Sequence, residues 1–247
     1  MNNVLVVVPT YDEAENLPVV VAAVQRHQPH VDILVVDDNS PDGTGAVADE
    51  LAADPRVNVL HRPGKQGLGA AYVEGFTWGL ARGYDVLVEM DADGSHDPVH
   101  LGELLATIAD GADLVLGSRW VPGGRVVNWP RRRMALSRGG NLYTRLALRM
   151  AVRDATGGYR AYRRTALESI GLDRIASQGY CFQVDMVRRA VAAGLTVREV
   201  PITFAERTRG TSKMSGNIVR EALWRVTIWG AQLRLARLRA LGRRLAS

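Results

Sequence analysis

Five short apolar runs, most of them rich in valine, lie at residues 4–8, 33–36, 57–60, 86–90 and 114–116. Stretches of helical composition at 15–27, 44–53, 69–82 and 98–110 separate them. A strand with one wet face alternates apolar and polar residues, whereas a strand covered on both faces reads as an unbroken apolar run. The runs here are unbroken, so the pattern βαβαβαβαβ predicts an α/β chain with a doubly wound, mostly parallel sheet. Asp97-Pro98 supplies an N-cap followed by proline at the first helical position, and Ser40-Pro41-Asp42-Gly43-Thr44 is a turn. Beyond residue 120 the alternation lapses. Residues 120–133, rich in Gly, Pro and Arg, read as an exposed loop; 137–151, 183–193 and 217–245 read as helical, 196–200 as a short strand and 210–216 as a polar loop.

In an open α/β sheet, ligands bind beyond the carboxyl ends of the strands. The residues found there are Pro9-Thr10-Tyr11-Asp12-Glu13, Asp37-Asp38-Asn39-Ser40, Asp91-Ala92-Asp93 and Gly117-Ser118-Arg119. Carboxylates crowded on one rim repel each other and serve no packing purpose, which marks a site. Asp91 and Asp93, one residue apart at a strand end, offer hard oxygen ligands suited to Mg²⁺ or Mn²⁺ with positions open to substrate phosphates. His96 and His100 read as structural histidines, because no H-E-x-x-H accompanies them and the nearby donors are oxygens. Gly64–Gly69 lacks the G-K-[ST] of a phosphate loop and follows the third strand, leaving ligand contact and simple turn chemistry both open. No G-x-S-x-G elbow is present and Cys181, the only cysteine, has no adjacent histidine, so neither a nucleophilic hydrolase nor a four-cysteine zinc site is supported.

Charge is divided unevenly. Residues 1–130 carry 7 Lys/Arg against 19 Asp/Glu, and residues 131–247 carry 24 against 7, so an acidic half suited to a metal precedes a basic half facing something anionic. Residues 131–153 hold 7 Arg and no acid, and residues 216–247 hold 7 Arg and one Glu, without placing the arginines on one clean helical face. A nucleic-acid partner is not expected, since the acidic rim would repel a phosphodiester track and no stacking signature accompanies the arginines. With 47% hydrophobic and 23% charged residues, the 247-residue chain has globular usage, which excludes disorder. No secretory signal and no membrane-spanning run is read at the sequence level. The expected place is cytoplasmic, peripheral on the inner face of the cell membrane.

Taken together, V-V-V-P-T-Y-x-E-x-E-N-L at 6–17, V-D-D-x-S-P-D-G-T at 36–44, M-D-A-D-x-x-H at 90–96 and G-S-R at 117–119 resemble inverting family-2 glycosyltransferases of the GT-A fold. Arg132-Arg133 with Ser137-Arg138, Gly179-Tyr180-Cys181-Phe182-Gln183, and Val200-Pro201-Ile202 through Phe204 and Arg207 to Ser212-Lys213 narrow the likeness. They resemble dolichol-phosphate mannose synthases, and more closely the bacterial polyprenol-phosphate mannose synthases without transmembrane helices. The resemblance covers roughly residues 4–230. It implies that Pro9, Tyr11, Glu13, Val36 and Asp38 contact guanosine and its ribose, and that Asp91, Ala92 and Asp93 hold the metal and the diphosphate. It further implies that Arg119, Arg207 and Lys213 meet the diphosphate or mannose, and that Arg119, Arg133 and Ser137 receive the lipid phosphate. Some relatives have a metal-binding Gln where this chain has Ser95, so water is expected in place of a third protein ligand.

The implied reaction moves mannose from GDP-mannose to polyprenyl phosphate, with Asp91, Asp93 and Arg119 as the catalytic set and no general base. A phosphate monoester, with its second pKa near ~6, is already a nucleophile at neutral pH. Asp185 or Gln183 would orient it. A UDP-sugar donor and a non-catalytic nucleotide-sugar-binding subunit remain the alternatives. The expected organisation is a catalytic domain over 1–215 and a basic helical extension over 216–247 that faces an anionic membrane surface or an integral membrane protein partner.

Overall fold

A computed structural model describes residues 3–175, 180–206 and 216–245. The valine-rich runs form β1 (Val4–Thr10), β2 (Asp32–Asp37), β3 (Val57–His61), β4 (Val86–Glu89) and β5 (Leu114–Ser118). Between them lie α1 (Leu17–His27), α2 (Thr44–Leu51), α3 (Leu68–Ala81) and α4 (Leu101–Ala109), the last entered through a single 3₁₀ turn at Pro98–His100. Asp97 caps that turn by accepting from the Val99 amide at 3.0 Å.

The seven strands of the main sheet run in the order β3-β2-β1-β4-β7-β5-β8. β7 (Arg160–Arg163) is antiparallel to both β4 and β5, and the remaining pairs are parallel. The sheet is therefore mixed and mostly parallel, as expected. Its two faces are covered separately. Val6, Val8, Ile33, Val35 and Val88 pack with α1 and α4, while Leu5, Val7, Leu34, Val36 and Leu87 pack with Tyr72 and Phe76 of α3 and with the later helices.

Residues 120–133 are more ordered than an exposed loop. They contain β6 (Arg125–Val127), which pairs in parallel with β9 (Thr203–Ala205), and Trp129 stacks edge-on against Phe204 at 5.4 Å. α5 starts at Arg131, directly after Pro130, and runs to Leu148, six residues earlier than its apolar pattern alone predicts. Arginine is a good helix former, and the proline before the first turn costs no hydrogen bond. The chain continues through α6 (Arg164–Ile170), α7 (Tyr180–Ala192) and β8 (Val197–Pro201) to α8 (Gly216–Leu245). The first half of α8 joins the core: Val226 is buried, Trp229 packs against it, and Thr227 Oγ1 lies 2.6 Å from Tyr143 Oη of α5. No helix among the described residues is long and apolar enough to cross a membrane.

Candidate active site

The strand-end acids converge as the topology requires, because β1, β2 and β4 are parallel neighbours. Pro9 is in register with Val36 and Thr10 with Asp37, so the first two acidic clusters share one edge. Asp37 is a structural member of that edge: it accepts from Thr10 Oγ1 at 3.0 Å and from Ser40 Oγ at 2.6 Å. Asp38 is buried and bonded to the Arg62 guanidinium, whose Nε also donates to Glu74 at 2.7 Å. Burial lifts the Asp38 carboxyl above the usual aspartate range, against the pull of Arg62. Glu13 accepts from Asn16 Nδ2 at 2.7 Å, and its amide donates to Thr44 Oγ1 at 3.0 Å, which ties this turn to the start of α2. Lys65 places its ammonium 3.9 Å from the centre of the Tyr11 ring, so the Gly64–Gly69 loop folds over the same edge.

Asp91 follows β4 and remains partly exposed, with its carboxylate oriented by a tyrosine that carries no sequence signature. Tyr72 Oη, from the middle of α3, donates to Asp91 Oδ1 at 2.9 Å, and the Asp91 amide donates to His96 Nδ1 at 3.0 Å. Burial pushes the Tyr72 hydroxyl well above its ordinary value, with the neighbouring carboxylates adding to the effect, so it serves as a donor. His96 stacks on Tyr159 at 5.1 Å, and His100 Nε2 accepts from the Thr203 amide at 3.0 Å, so both histidines take structural places. Asp93 accepts from the Ser95 amide at 3.0 Å, and Ala92 is buried between the two acids. Among the described residues no group of three His, Cys, Asp or Glu is placed to hold a metal ion. Two carboxylates at a partly open strand end suit an ion that keeps most of its coordination for water and phosphate oxygens, which is the habit of Mg²⁺ and Mn²⁺.

Beneath this rim sits Glu89, fully buried on β4. It accepts from Gln183 Nε2 at 2.8 Å and Tyr162 Oη at 2.9 Å, opposite Arg160 in the β4–β7 register. Burial pushes its carboxyl up to about 7, with Arg160 pulling in the other direction. Arg160 is likewise fully buried and donates to the carbonyls of Gly157, Gln183 and Ala155 at 2.7–2.8 Å. Gly158 packs between Gln183, His96 and Asp91: a Cβ there would lie 3.5 Å from Gln183 Nε2 and 3.7 Å from Asp91 Oδ2. Gln183 thus stands at the site, whereas Asp185 is tied to Arg188 and Arg189 on its own helix at 2.5 and 3.0 Å.

A second set of predicted residues gathers beside the rim. A cavity of about 380 Å³ between α5 and α8 is lined by Arg119, Arg133, Ser137 and Thr156, with apolar walls that include Leu136, Val184, Leu223 and Val226. Arg119, 6% exposed, donates to Asp154 through Nε at 2.7 Å and Nη2 at 2.6 Å, and to Thr156 Oγ1 at 3.1 Å. Burial opposes the charge on Asp154, but the charge and hydrogen bonds of Arg119 outweigh it and hold the carboxyl below the usual range. Asn141 Nδ2 reaches Thr156 Oγ1 at 3.0 Å, which links this cluster to α5. Arg133 lies over the Trp129 ring at 4.2 Å and bonds Glu206 Oε1 at 2.6 Å. The segment 154–158 joins the two halves, since Thr156 lines the cavity and Gly158 packs beside Asp91.

Arg119, Arg133 and Ser137 are therefore brought together, as are Asp91, Ala92 and Asp93, and as are Pro9, Tyr11, Glu13, Val36 and Asp38 at the β1–β2 edge. Arg207 and Lys213 lie outside the described residues. Sequence reasoning passed over Tyr72, Arg62 and Asp154. Only Asp154 carried a signal, as the first acid after a stretch of 7 arginines with none.

The chain matches Glycosyl transferase family 2 over residues 5–171. It is 59% identical over 241 residues to the polyprenol monophosphomannose synthase of Mycolicibacterium smegmatis, an alignment covering 97% of this chain and 91% of that one. It is 56% identical to the undecaprenyl-phosphate mannosyltransferase of Micrococcus luteus, covering 96% of this chain and 98% of the relative. Among solved structures, glucosyl-3-phosphoglycerate synthase from Mycobacterium tuberculosis, in complex with Mn²⁺, UDP-glucose and phosphoglyceric acid, superimposes with a TM-score of 0.70 at 19% identity. That superposition covers 93% of this chain and 80% of the other, and it establishes a shared GT-A architecture. The strand-end acids, the mixed sheet and these relatives lead to one assignment: this chain belongs to glycosyltransferase family 2.

Proposed function

We propose that this glycosyltransferase moves mannose from GDP-mannose to the phosphate of a polyprenyl phosphate, releasing GDP and inverting the anomeric centre. The observation that carries the reading is the cavity. Arginine and serine stand beside apolar walls from α5 and α8, next to the acidic rim, which suits a phosphate that carries a hydrocarbon chain. The names of the two relatives, a polyprenol monophosphomannose synthase and an undecaprenyl-phosphate mannosyltransferase, point the same way.

In this reading Pro9, Tyr11, Glu13, Val36 and Asp38 at the β1–β2 edge contact the guanosine and its ribose. Asp91 and Asp93 would hold Mg²⁺ or Mn²⁺, which when bound neutralises charge on the departing diphosphate. Tyr72 and His96 fix the Asp91 carboxylate and backbone. Arg119, immobilised by Asp154, Arg133 and Ser137 present cationic and hydroxyl donors to the lipid phosphate, offsetting the repulsion between two anions. Arg207 and Lys213 are assigned to the donor side. No side chain is required as a base, because the acceptor arrives as a nucleophilic oxyanion at neutral pH.

The lipid has to be reached in a membrane. Leu136, Leu142 and Leu146 of α5 and Leu223, Trp224 and Ile228 of α8 are exposed, and arginines flank them. We assign this face, with the basic extension over 216–247, to an anionic bilayer on its cytoplasmic side.

Purified protein given GDP-mannose, UDP-glucose or UDP-N-acetylglucosamine with undecaprenyl phosphate tests the reading. Label should enter lipid from GDP-mannose alone and should stop with EDTA. Label from a UDP-sugar would overturn the donor assignment, and saturable nucleotide binding without transfer would favour a binding subunit.

A further inference from the structure

The two arginines of the cavity have unlike partners. Arg119 is bonded to Asp154, which is 0% exposed and is gripped by more than this one residue: its own amide donates to Glu199 Oε1 at 2.9 Å, and Asn141 approaches from α5. Removing that carboxylate from Arg119 would strand a buried charge, so the pair is permanent. Arg133 is bonded to Glu206 at 2.6 Å, and the Glu206 side chain is 34% exposed at the end of the β6–β9 ribbon. Among the described residues Glu206 makes no second side-chain hydrogen bond, and its amide donates to the Val127 carbonyl of the neighbouring strand. Its carboxylate can swing to water at small cost, since a partly exposed ion pair contributes little to stability.

On the reading that the cavity receives the acceptor phosphate, we infer that Glu206 is an internal competitor that occupies Arg133 until the acceptor phosphate displaces it. A carboxylate and a phosphate monoester present the same chemistry to a guanidinium: two oxygens in a plane that accept the N–H fork. Arg133 keeps its place through the exchange, because its cation stays over the Trp129 ring at 4.2 Å whichever anion it holds. Glu206 therefore shields the cavity from an uncompensated cation when no lipid is bound, and it lowers affinity for weak anions that cannot displace it. Asp154 plays no part in the exchange and remains on Arg119.

The sign of one substitution decides this. Transfer is measured with full-length protein at saturating GDP-mannose over a concentration series of farnesyl phosphate, for the wild type, Glu206→Gln and Glu206→Ala. Both variants should lower the acceptor KM by roughly two- to fivefold, the range expected of a partly exposed pair, with kcat within about twofold of wild type. Titration calorimetry of farnesyl phosphate without donor should show the same gain in affinity. An unchanged or raised acceptor KM in both variants would overturn the proposal and make Glu206 a brace that orients Arg133. Failure of the wild type itself to transfer to any polyprenyl phosphate would overturn the underlying functional reading, a result separate from either variant outcome.

Discussion

Arg119 sits almost wholly inside the protein, and what makes that tolerable is a carboxylate with no water of its own. Asp154 receives two guanidinium bonds and the Arg119 amide, and Glu199 holds its backbone in turn. Asp154→Asn leaves the guanidinium buried without its counter-charge and should cost about 3–5 kcal/mol in urea unfolding. The pH dependence has a definite sign. The Asp154 carboxyl lies lower in the folded protein than its unfolded value of about 3.9. Its stabilisation is present above that value and is lost as pH falls through the folded value. The wild type should therefore lose stability below about pH 4 more steeply than Asp154→Asn, and parallel acid limbs would contradict the pairing. At this scale the sequence was read well where chemistry sits at strand ends and poorly where it sits inside elements. Asp91 and Asp93 follow an unmistakable apolar run, but Tyr72 lies mid-helix among Ala, Val and Gly, and nothing local distinguishes its hydroxyl from that of a core tyrosine.

Among elements, α3 and β7 decide the shape of the rim. α3 lies close to the sheet because it carries glycines on its inner face. A Cβ at Gly79 would stand 2.7 Å from both Leu5 and Leu87, and one at Gly75 would stand 2.5 Å from Val7. Gly79→Ala gains helix propensity but forces the helix outward, and overpacking of this kind costs about 1–3 kcal/mol. A net loss of stability is expected by thermal denaturation; a stabilised variant would contradict the close approach. β7 shows why the second half of the sheet was less legible. Residues 160–163 are Arg-Ala-Tyr-Arg, hardly an apolar run, and they hold a central position because Arg160 finds three backbone carbonyls and Tyr162 finds Glu89. Tertiary partners, not propensity, make that strand. The early start of α5 has a similar origin, with Arg133 set against Trp129 and Glu206 rather than against solvent.

Across the whole molecule, the acidic first half supplies the rim carboxylates together with Arg119, and the basic second half supplies Arg133, Ser137 and the apolar walls of the cavity, with residues 154–158 as the seam. In the proposed function the rim takes the donor and the cavity the acceptor. The exposed leucines and Trp224 lie on the helices that wall the cavity, so one face serves both membrane contact and lipid entry in the proposed function. Leu146→Asp combined with Trp224→Asp should reduce co-sedimentation with vesicles containing anionic lipid, and most strongly at low salt. Transfer to farnesyl phosphate in solution should persist, and unchanged sedimentation would place membrane contact elsewhere. The central claim is that rim and cavity are the two halves of one transfer site. Its most direct test is labelled mannosyl transfer by Asp91→Asn and Arg133→Gln, with donor and lipid varied separately. Asp91→Asn should lower turnover by about 100-fold or more at saturating substrates. Arg133→Gln should raise the lipid KM by roughly 10-fold or more while the donor KM stays within about twofold, the loss of a charge-assisted phosphate contact. An Arg133 variant that raises the donor KM and leaves the lipid KM unchanged would contradict the division and place the cavity on the donor side.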